Sequence, residues 1–354
     1  MSDKSKVILL TPNDVPGDGL MSSPVLQRSL DAVSGEFDAH FATFCDVDSP
    51  TPRYVKLKFR EWWWPPGRFG LHNFLRARDL VRSMRLGPKD RIIAVHPFSQ
   101  ELALAIKSQS GCPYIVIVHD LHKDRLADPS VQSGLRAASS VLCASPALVK
   151  AIEPFAPHAT VLFPCPGPPL ELEPKYNDGP IGVAGHFCSW SLALASSLGL
   201  PIQGIGQPLS MPDRPDFQRG TLDITFVPRF ASNDDAVSFI AENCSAFCVT
   251  VPSDGSDYEM TSFPSKFIDF ARASLPIVII AKPQSVIGKW AVANDWPLYI
   301  PDEQDTTHCK LIASRLRDPD SWYRDQARVI ELRDGIFSNR TINAQLLDAV
   351  RAAQ

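Results

Sequence analysis

The chain has 354 residues, 44% apolar and 21% charged, with a formal net charge of −4. This is a globular composition, and the length allows two domains with separate cores. No apolar run reaches the ~20 residues of a membrane helix, and Met1–Lys6 runs straight into an apolar tetrad without a signal-peptide pattern, so a cytoplasmic protein is expected.

The first expected strand is Val7–Leu10. The turn after it, Pro12–Pro24, carries Gly17, Asp18 and Gly19 and opens a helix from Ser23. Glycines there let backbone approach a ligand at the carboxyl end of a strand, although the segment reads equally as a surface turn. A strand over His40–Phe44 precedes an unusual stretch. Between Arg53 and Arg91 stand eleven Lys or Arg against three carboxylates, with Trp62, Trp63 and Trp64 among them. Basic density of that kind favours an anionic partner, and tryptophan beside it suits an interfacial membrane contact. No nucleic-acid motif accompanies the charge, so nucleic acid is not expected.

A helix over Leu71–Met84, a strand over Ile92–Val95 and a helix over Gln100–Ser108 follow. The strand Tyr114–Val118 then runs directly into His119-Asp120-Leu121-His122. Polar groups at the carboxyl end of a buried strand sit where α/β enzymes place chemistry. A histidine beside a carboxylate can act as acid, base or orienting donor. That makes His119 and Asp120 the catalytic candidates, against the alternative of a structural His in a turn. No carboxylate or Cys completes a metal site with His119 and His122. The first half closes with a strand at Val141–Ala144, a helix at Pro146–Ile152 and a strand at Thr160–Phe163. The proline-rich Phe163–Pro169 and polar Glu171–Gly179 then read as a linker.

The alternation restarts with strands at Ile181–Ala184, Ile202–Ile205, Ile224–Val227 and Phe247–Val251, and helices at Trp190–Leu198 and Asp234–Asn243. Apolar, unalternating strands interleaved with helices argue parallel sheets. Next comes Ser262-Phe263-Pro264-Ser265-Lys266, with Asp269 three residues on. Ser262 is expected to cap a helix, and Pro264 to occupy its first turn. Lys266 beside the positive end of that helix suits an anion such as phosphate, and Asp269 could accept sugar hydroxyls. An ordinary capped helix with a solvated lysine would look the same. A buried strand, Leu275–Ala281, follows at once, and a last one is expected at Trp296–Ile300. Helices at Cys309–Leu316, Trp322–Leu332 and Thr341–Ala352 complete the chain. The eight cysteines lack paired spacing apart from Cys244 and Cys248, one helical turn apart, and read as buried free thiols. Asp46-Val-Asp48 and Asp318-Pro-Asp320 lack the preceding strand of a metal-binding Asp-x-Asp.

The segment SFPSKFIDFARASLPIVII, Ser262 to Ile280, resembles the donor-binding motif of GT-B glycosyltransferases, close to family GT4. The resemblance implies an α/β fold of GT-B type, two Rossmann-like domains facing a central cleft. The acceptor-side domain would span 1–168 and the nucleotide-sugar domain 169–335, with a final helix, 336–354, packing back on the first. It implies that Lys266 contacts the donor diphosphate and that Asp269, where the family usually has Glu, meets the ribose. A second family Glu, eight positions earlier, is Thr261 here, with Glu259 nearby. Ser274 replaces a usual Gly. Donor contacts would also come from Ser262, Phe263, Pro264, Ser265, Gly185 and Arg229. His119 would face the donor sugar, and Gly17–Gly19 would line the acceptor side. The Lys and Arg that commonly follow Gly185 in the family are absent.

The expected activity is transfer of a hexose from a nucleotide-diphosphate sugar to a glycan or lipid-linked acceptor, retaining, with no cofactor and no metal. The region 53–91 would give peripheral contact with an anionic membrane surface. The alternatives are a non-catalytic sugar-nucleotide or glycan-binding homologue and a nucleotide-sugar epimerase.

Overall fold

The computed structural model describes residues 4–11, 23–43, 45, 53–57, 69–96, 99–121, 123–184, 195, 197–205, 224–227, 230–251, 257–301 and 306–353. The chain divides into two compact units, one of residues 1–165 together with 340–354, the other of residues 166–339.

The first unit is built on seven parallel strands. They are β1 (Lys6–Leu10), β2 (Asp38–Thr43), β3 (Tyr54–Lys56), β4 (Arg91–Val95), β5 (Tyr114–Val118), β6 (Ser140–Cys143) and β7 (Ala159–Val161), in the order β3-β2-β1-β4-β5-β6-β7. Both faces of this sheet are covered, which is why its strands are apolar throughout rather than alternating. Val7, Leu9, Ile93, Ile115 and Ile117 pack under α1 (Pro24–Ser34) and a final helix over Asn339–Ala352. That final helix contributes Ile342, Leu346 and Val350, all fully buried. On the other face, Ile8, Leu10, Ile92, Val116 and Val118 meet α2 (Phe69–Met84), α3 (Gln100–Ser110), α5 (Pro129–Ala137) and α6 (Pro146–Ile152). A short α4 (Lys123–Leu126) leads into α5.

Three of these elements, β3, α4 and α5, were not expected from the sequence. The strand β3 is three residues long and sits at the sheet edge in the basic stretch. Helix α5 has a Pro after its cap and a glycine in its body. The cap is Asp128, whose carboxylate accepts from the Ser130 N–H. Gly134 is needed for close packing, since a Cβ there would lie 2.9 Å from Gln100 Cγ. Its carbonyl also accepts from the buried Tyr114 hydroxyl.

The second unit holds six parallel strands. They are β8 (Ile181–Ala184), β9 (Ile202–Ile205), β10 (Ile224–Val227), β11 (Ala246–Thr250), β12 (Ile277–Ile280) and β13 (Tyr299–Ile300), in the order β10-β9-β8-β11-β12-β13. Its helices include α7 (Asn233–Asn243), α8 (Asp257–Thr261), α9 (Ser265–Ala271), α10 (Val286–Ala293), α11 (Thr306–Arg317) and α12 (Pro319–Asp334). Side-chain caps set several starts. Ser232, Ser285 and Asp318 accept from the N–H groups of Asp235, Gly288 and Ser321. Asp318 of the Asp-Pro-Asp triplet is therefore a helix cap.

Candidate functional site

Each sheet changes direction once in its strand order, between β1 and β4 in the first and between β8 and β11 in the second. In open parallel sheets, ligands bind outside the carboxyl ends of the strands at such a switch point. In the second unit the carboxyl end of β11 leads into α8, a three-residue turn and α9. Glu259, Thr261, Ser262, Phe263 and Asp269 are buried there, while Ser265 and Lys266 are half-buried.

The expected cap is corrected by the structure. Helix α9 starts at Ser265, and the residue in the capping position is Pro264, which offers no side-chain acceptor. Ser262 lies in the turn instead, because Asp257–Thr261 forms a helical turn of its own. Phe267 N–H donates to the Pro264 carbonyl at 3.0 Å, which tightens the first turn and leaves Lys266 at its second position.

Aromatic packing fixes α9 against the sheet. Phe270 stacks on Phe247 of β11 at 4.0 Å between centroids. Phe267 meets Trp290 at 5.0 Å, Phe337 at 5.7 Å and Trp296 at 5.8 Å. Phe263 packs on Phe337 and Trp290 at 5.7 and 6.0 Å. The Phe263 ring is therefore a core group, and from this place only its backbone could serve a ligand. With one face of α9 held in this way, Lys266 and Asp269 take fixed positions on a rigid element.

Past α9 the chain turns sharply into β12. Ser274, where the resembling family has Gly, adopts a left-handed backbone with φ 56°. That conformation costs a non-glycine residue roughly 1–2 kcal/mol. It is held by two bonds from α12: Arg333 Nη1 donates to the Ser274 hydroxyl, and Gln326 Nε2 donates to its carbonyl at 2.9 Å.

Arg272, 2% exposed, joins the end of α9 to the start of the unit. Its Nε donates to the Pro168 carbonyl at 2.8 Å and its Nη2 to Asp234 at 2.7 Å. Gly167 lies so close that a Cβ would overlap the guanidinium. Displacing a buried guanidinium from its partners is costly. Gly167→Ala is expected to destabilise the second unit by about 2–3 kcal/mol, a discount being made for the exposed Asp234, and to lower its melting temperature by roughly 4–10 °C. An unchanged melting curve would show that Arg272 can move aside without loss.

In the first unit, His119 and Asp120 follow the carboxyl end of β5 and are half-buried. The sequence reading passed over His96, which is 4% exposed and directly follows β4. Its N–H donates to the Ile117 carbonyl at 2.8 Å, and the register pairs Val95 with Ile117. Two histidines thus stand at the carboxyl ends of neighbouring strands. The same strand-then-His pattern that singled out His119 was present at Ile92–His96.

Gly17, Asp18, Gly19, Gly185 and Arg229 lie outside the described residues, as do His122 and Trp62–Trp64. Among the described residues no group of three or more His, Cys, Asp or Glu is placed to hold a metal ion. Cys244 and Cys248 do not share a helix: Cys244 follows the end of α7 and Cys248 lies in β11. Burial pushes the thiols of Cys112, Cys143 and Cys244 up to about 12, and that of Cys248 up as well. Thiols in such settings stay protonated at neutral pH, so they serve as packing groups rather than nucleophiles. No described helix is long and apolar enough to cross a membrane.

No protein-family model and no curated protein matches this sequence. Solved structures do match its fold. HepE from Anabaena, in complex with UDP-glucose, matches with a TM-score of 0.67 at 13% identity, over 98% of this chain and 99% of that one. The lipopolysaccharide outer core galactosyltransferase WaaB, in its apo form, matches at 0.64 with 12% identity over 98% and 99%. MurG from Acinetobacter baumannii matches at 0.55 with 12% identity over the same shares. The likeness is one of fold: an α/β protein of GT-B type with two parallel sheets, extending over nearly the whole chain.

Proposed function

We propose that this chain is a glycosyltransferase moving a sugar from a nucleotide-diphosphate sugar to a glycan or lipid-linked acceptor. The observation that carries the reading is the arrangement after β11. Lys266 stands in the first turn of a helix locked by aromatic packing at a sheet switch point, with the buried carboxylates of Asp269 and Glu259 on the same two-helix segment. HepE has been crystallised with UDP, and WaaB is a galactosyltransferase; both have this fold. In the proposed mechanism Lys266 offsets the negative charge that develops on the departing diphosphate. Asp269 and Glu259 accept hydroxyl protons of the nucleoside. In the first unit His119 serves at the sugar, with Asp120 as its partner or as an acceptor for the attacking hydroxyl. The reaction is proposed to be retaining and to need no metal, with the chain working at the cytoplasmic face of a membrane.

A melting-temperature screen with UDP-, GDP-, dTDP- and CMP-sugars tests the reading, because a ligand that binds the native state raises its stability by mass action. At least one sugar nucleotide is expected to raise the melting temperature by several degrees at 100 times its dissociation constant, where the gain is about 2.7 kcal/mol. No shift with any of them would remove the donor site. One observation favours a second reading, a binding protein without transfer activity: no Lys or Arg occurs from Gly185 to Leu200. That reading gives the same melting shift but no release of nucleoside diphosphate when an acceptor is added.

A further inference from the structure

The second unit carries an open pocket at the amino ends of its strands, the end opposite to the turn that leads from β11 into α9. It lies between Leu198–Gly199, just before β9, one face of α11 and the first residue of α12. Its volume is about 730 Å³, within the range of small-molecule sites. Leu198 and Ala313, both buried, form an apolar floor. Lys310, Ser314 and Arg317 stand along the edge at helical spacing, so they share one face of α11. All three are exposed.

Arg317 ties the two walls together, its Nη2 donating to the Gly199 carbonyl at 2.7 Å. Gly199 presents that carbonyl from a left-handed turn, φ 63°. Among the described residues no carboxylate pairs with Lys310 or Arg317. One carboxylate does line the pocket, that of Asp318. The Ser321 N–H and hydroxyl donate to its Oδ2 at 3.0 and 2.6 Å. Those bonds, with Arg324 and Arg315 close by, hold the Asp318 carboxyl below the usual carboxylate range. Its charge is thus offset locally, while its Oδ1 accepts no bond among the described residues. What remains is a cationic edge, an apolar floor and an oxygen suited to a hydroxyl group. No aromatic ring lines the pocket among the described residues, so nothing there would stack a nucleoside base.

We infer that this pocket binds a phosphorylated sugar, at a site separate from the one proposed for the donor. The phosphate sits over Ser314, the middle residue of the cationic edge. Its oxygens accept from the Lys310 ammonium, the Ser314 hydroxyl and the Arg317 guanidinium, which has N–H groups beyond the one given to Gly199. The apolar face of the sugar ring rests on Leu198 and Ala313, where it leaves water. A ring hydroxyl donates to Asp318 Oδ1. A free anion would use the edge alone, and a neutral sugar the floor and Asp318 alone. The inference goes beyond the proposed transfer and does not depend on it.

The test is calorimetric titration of the full chain with glucose 6-phosphate, fructose 6-phosphate and glucose 1-phosphate, and with inorganic phosphate and glucose, at constant salt. At least one sugar phosphate is expected to bind about tenfold more tightly than inorganic phosphate or glucose, because only it meets both the edge and the floor. Lys310→Glu is expected to weaken that binding about tenfold or more, since it reverses a charge beside the phosphate. Ser314→Ala should weaken it about threefold. Both residues are exposed, so neither substitution disturbs the fold, and an unchanged melting curve checks this. Saturating UDP-glucose is expected to leave the affinity for the sugar phosphate as it was. Binding of none of the three sugar phosphates would overturn the inference. Equal affinity for inorganic phosphate would make the pocket a site for free anions and overturn the sugar assignment. Undiminished binding by both variants, or competition by UDP-glucose, would overturn the location.

Discussion

Replacing Lys266 with alanine is expected to slow sugar transfer roughly 30- to 1000-fold. The estimate follows from loss of a charge-assisted contact to the leaving diphosphate, on the order of 2–4 kcal/mol in the transition state. The position supports a clean experiment. Lys266 is half-buried, while its neighbours Phe267, Ile268 and Phe270 carry the packing of α9. The alanine variant should therefore keep the melting temperature of the parent and lose rate. Since the contact strengthens as charge develops, the loss should fall on kcat at least as much as on KM. Steady-state kinetics with the donor identified by the melting screen would decide it. Unchanged kinetics would move the diphosphate elsewhere.

His119→Ala is the second large effect. A positioned acid, base or orienting group contributes typically 10²- to 10⁴-fold, and turnover is expected to fall by about that factor. Nucleotide binding should stay nearly intact, because the groups proposed to hold the nucleotide belong to the other unit. The split between lost turnover and retained UDP binding is the diagnostic. A variant that unfolds or loses UDP binding would mark His119 as structural. His96 makes a useful comparison. It is buried where His119 is half-buried, and it abuts β5, so substitution there should cost stability as well as rate.

Much of the scaffold was legible in the sequence for one physical reason. A parallel strand covered on both faces must be apolar at every position, and such runs stand out between helices. Tyr114–Val118, Ile181–Ala184, Ile202–Ile205 and Ile224–Val227 were read to the residue. Elements failed where that signal was absent. β3 is short, at an edge and surrounded by charge, so its pairing with β2 comes from the sheet rather than from propensity. Helix α8 is a single turn, and without it Ser262 looked like the start of α9. At the site, His119 was found because it follows a strand. His96 was missed because burial belongs to the packed structure, not to residue type. Phe263 shows the same limit: the motif alone could not tell a ligand-facing ring from one packed between Phe337 and Trp290.

The last helix lends three buried side chains, Ile342, Leu346 and Val350, to a sheet whose strands begin at Lys6. The ribosome therefore delivers Val7, Leu9 and Leu30 long before the residues that cover them. At 5–20 residues per second the wait is roughly 15–60 s. During that interval one face of the nascent sheet lacks part of its lid, and the intervening unit can complete itself first. Maturation of the first unit thus waits on the synthesis of residues 342–350, and the nascent chain has an interval of exposure in which chaperone capture would compete with aggregation.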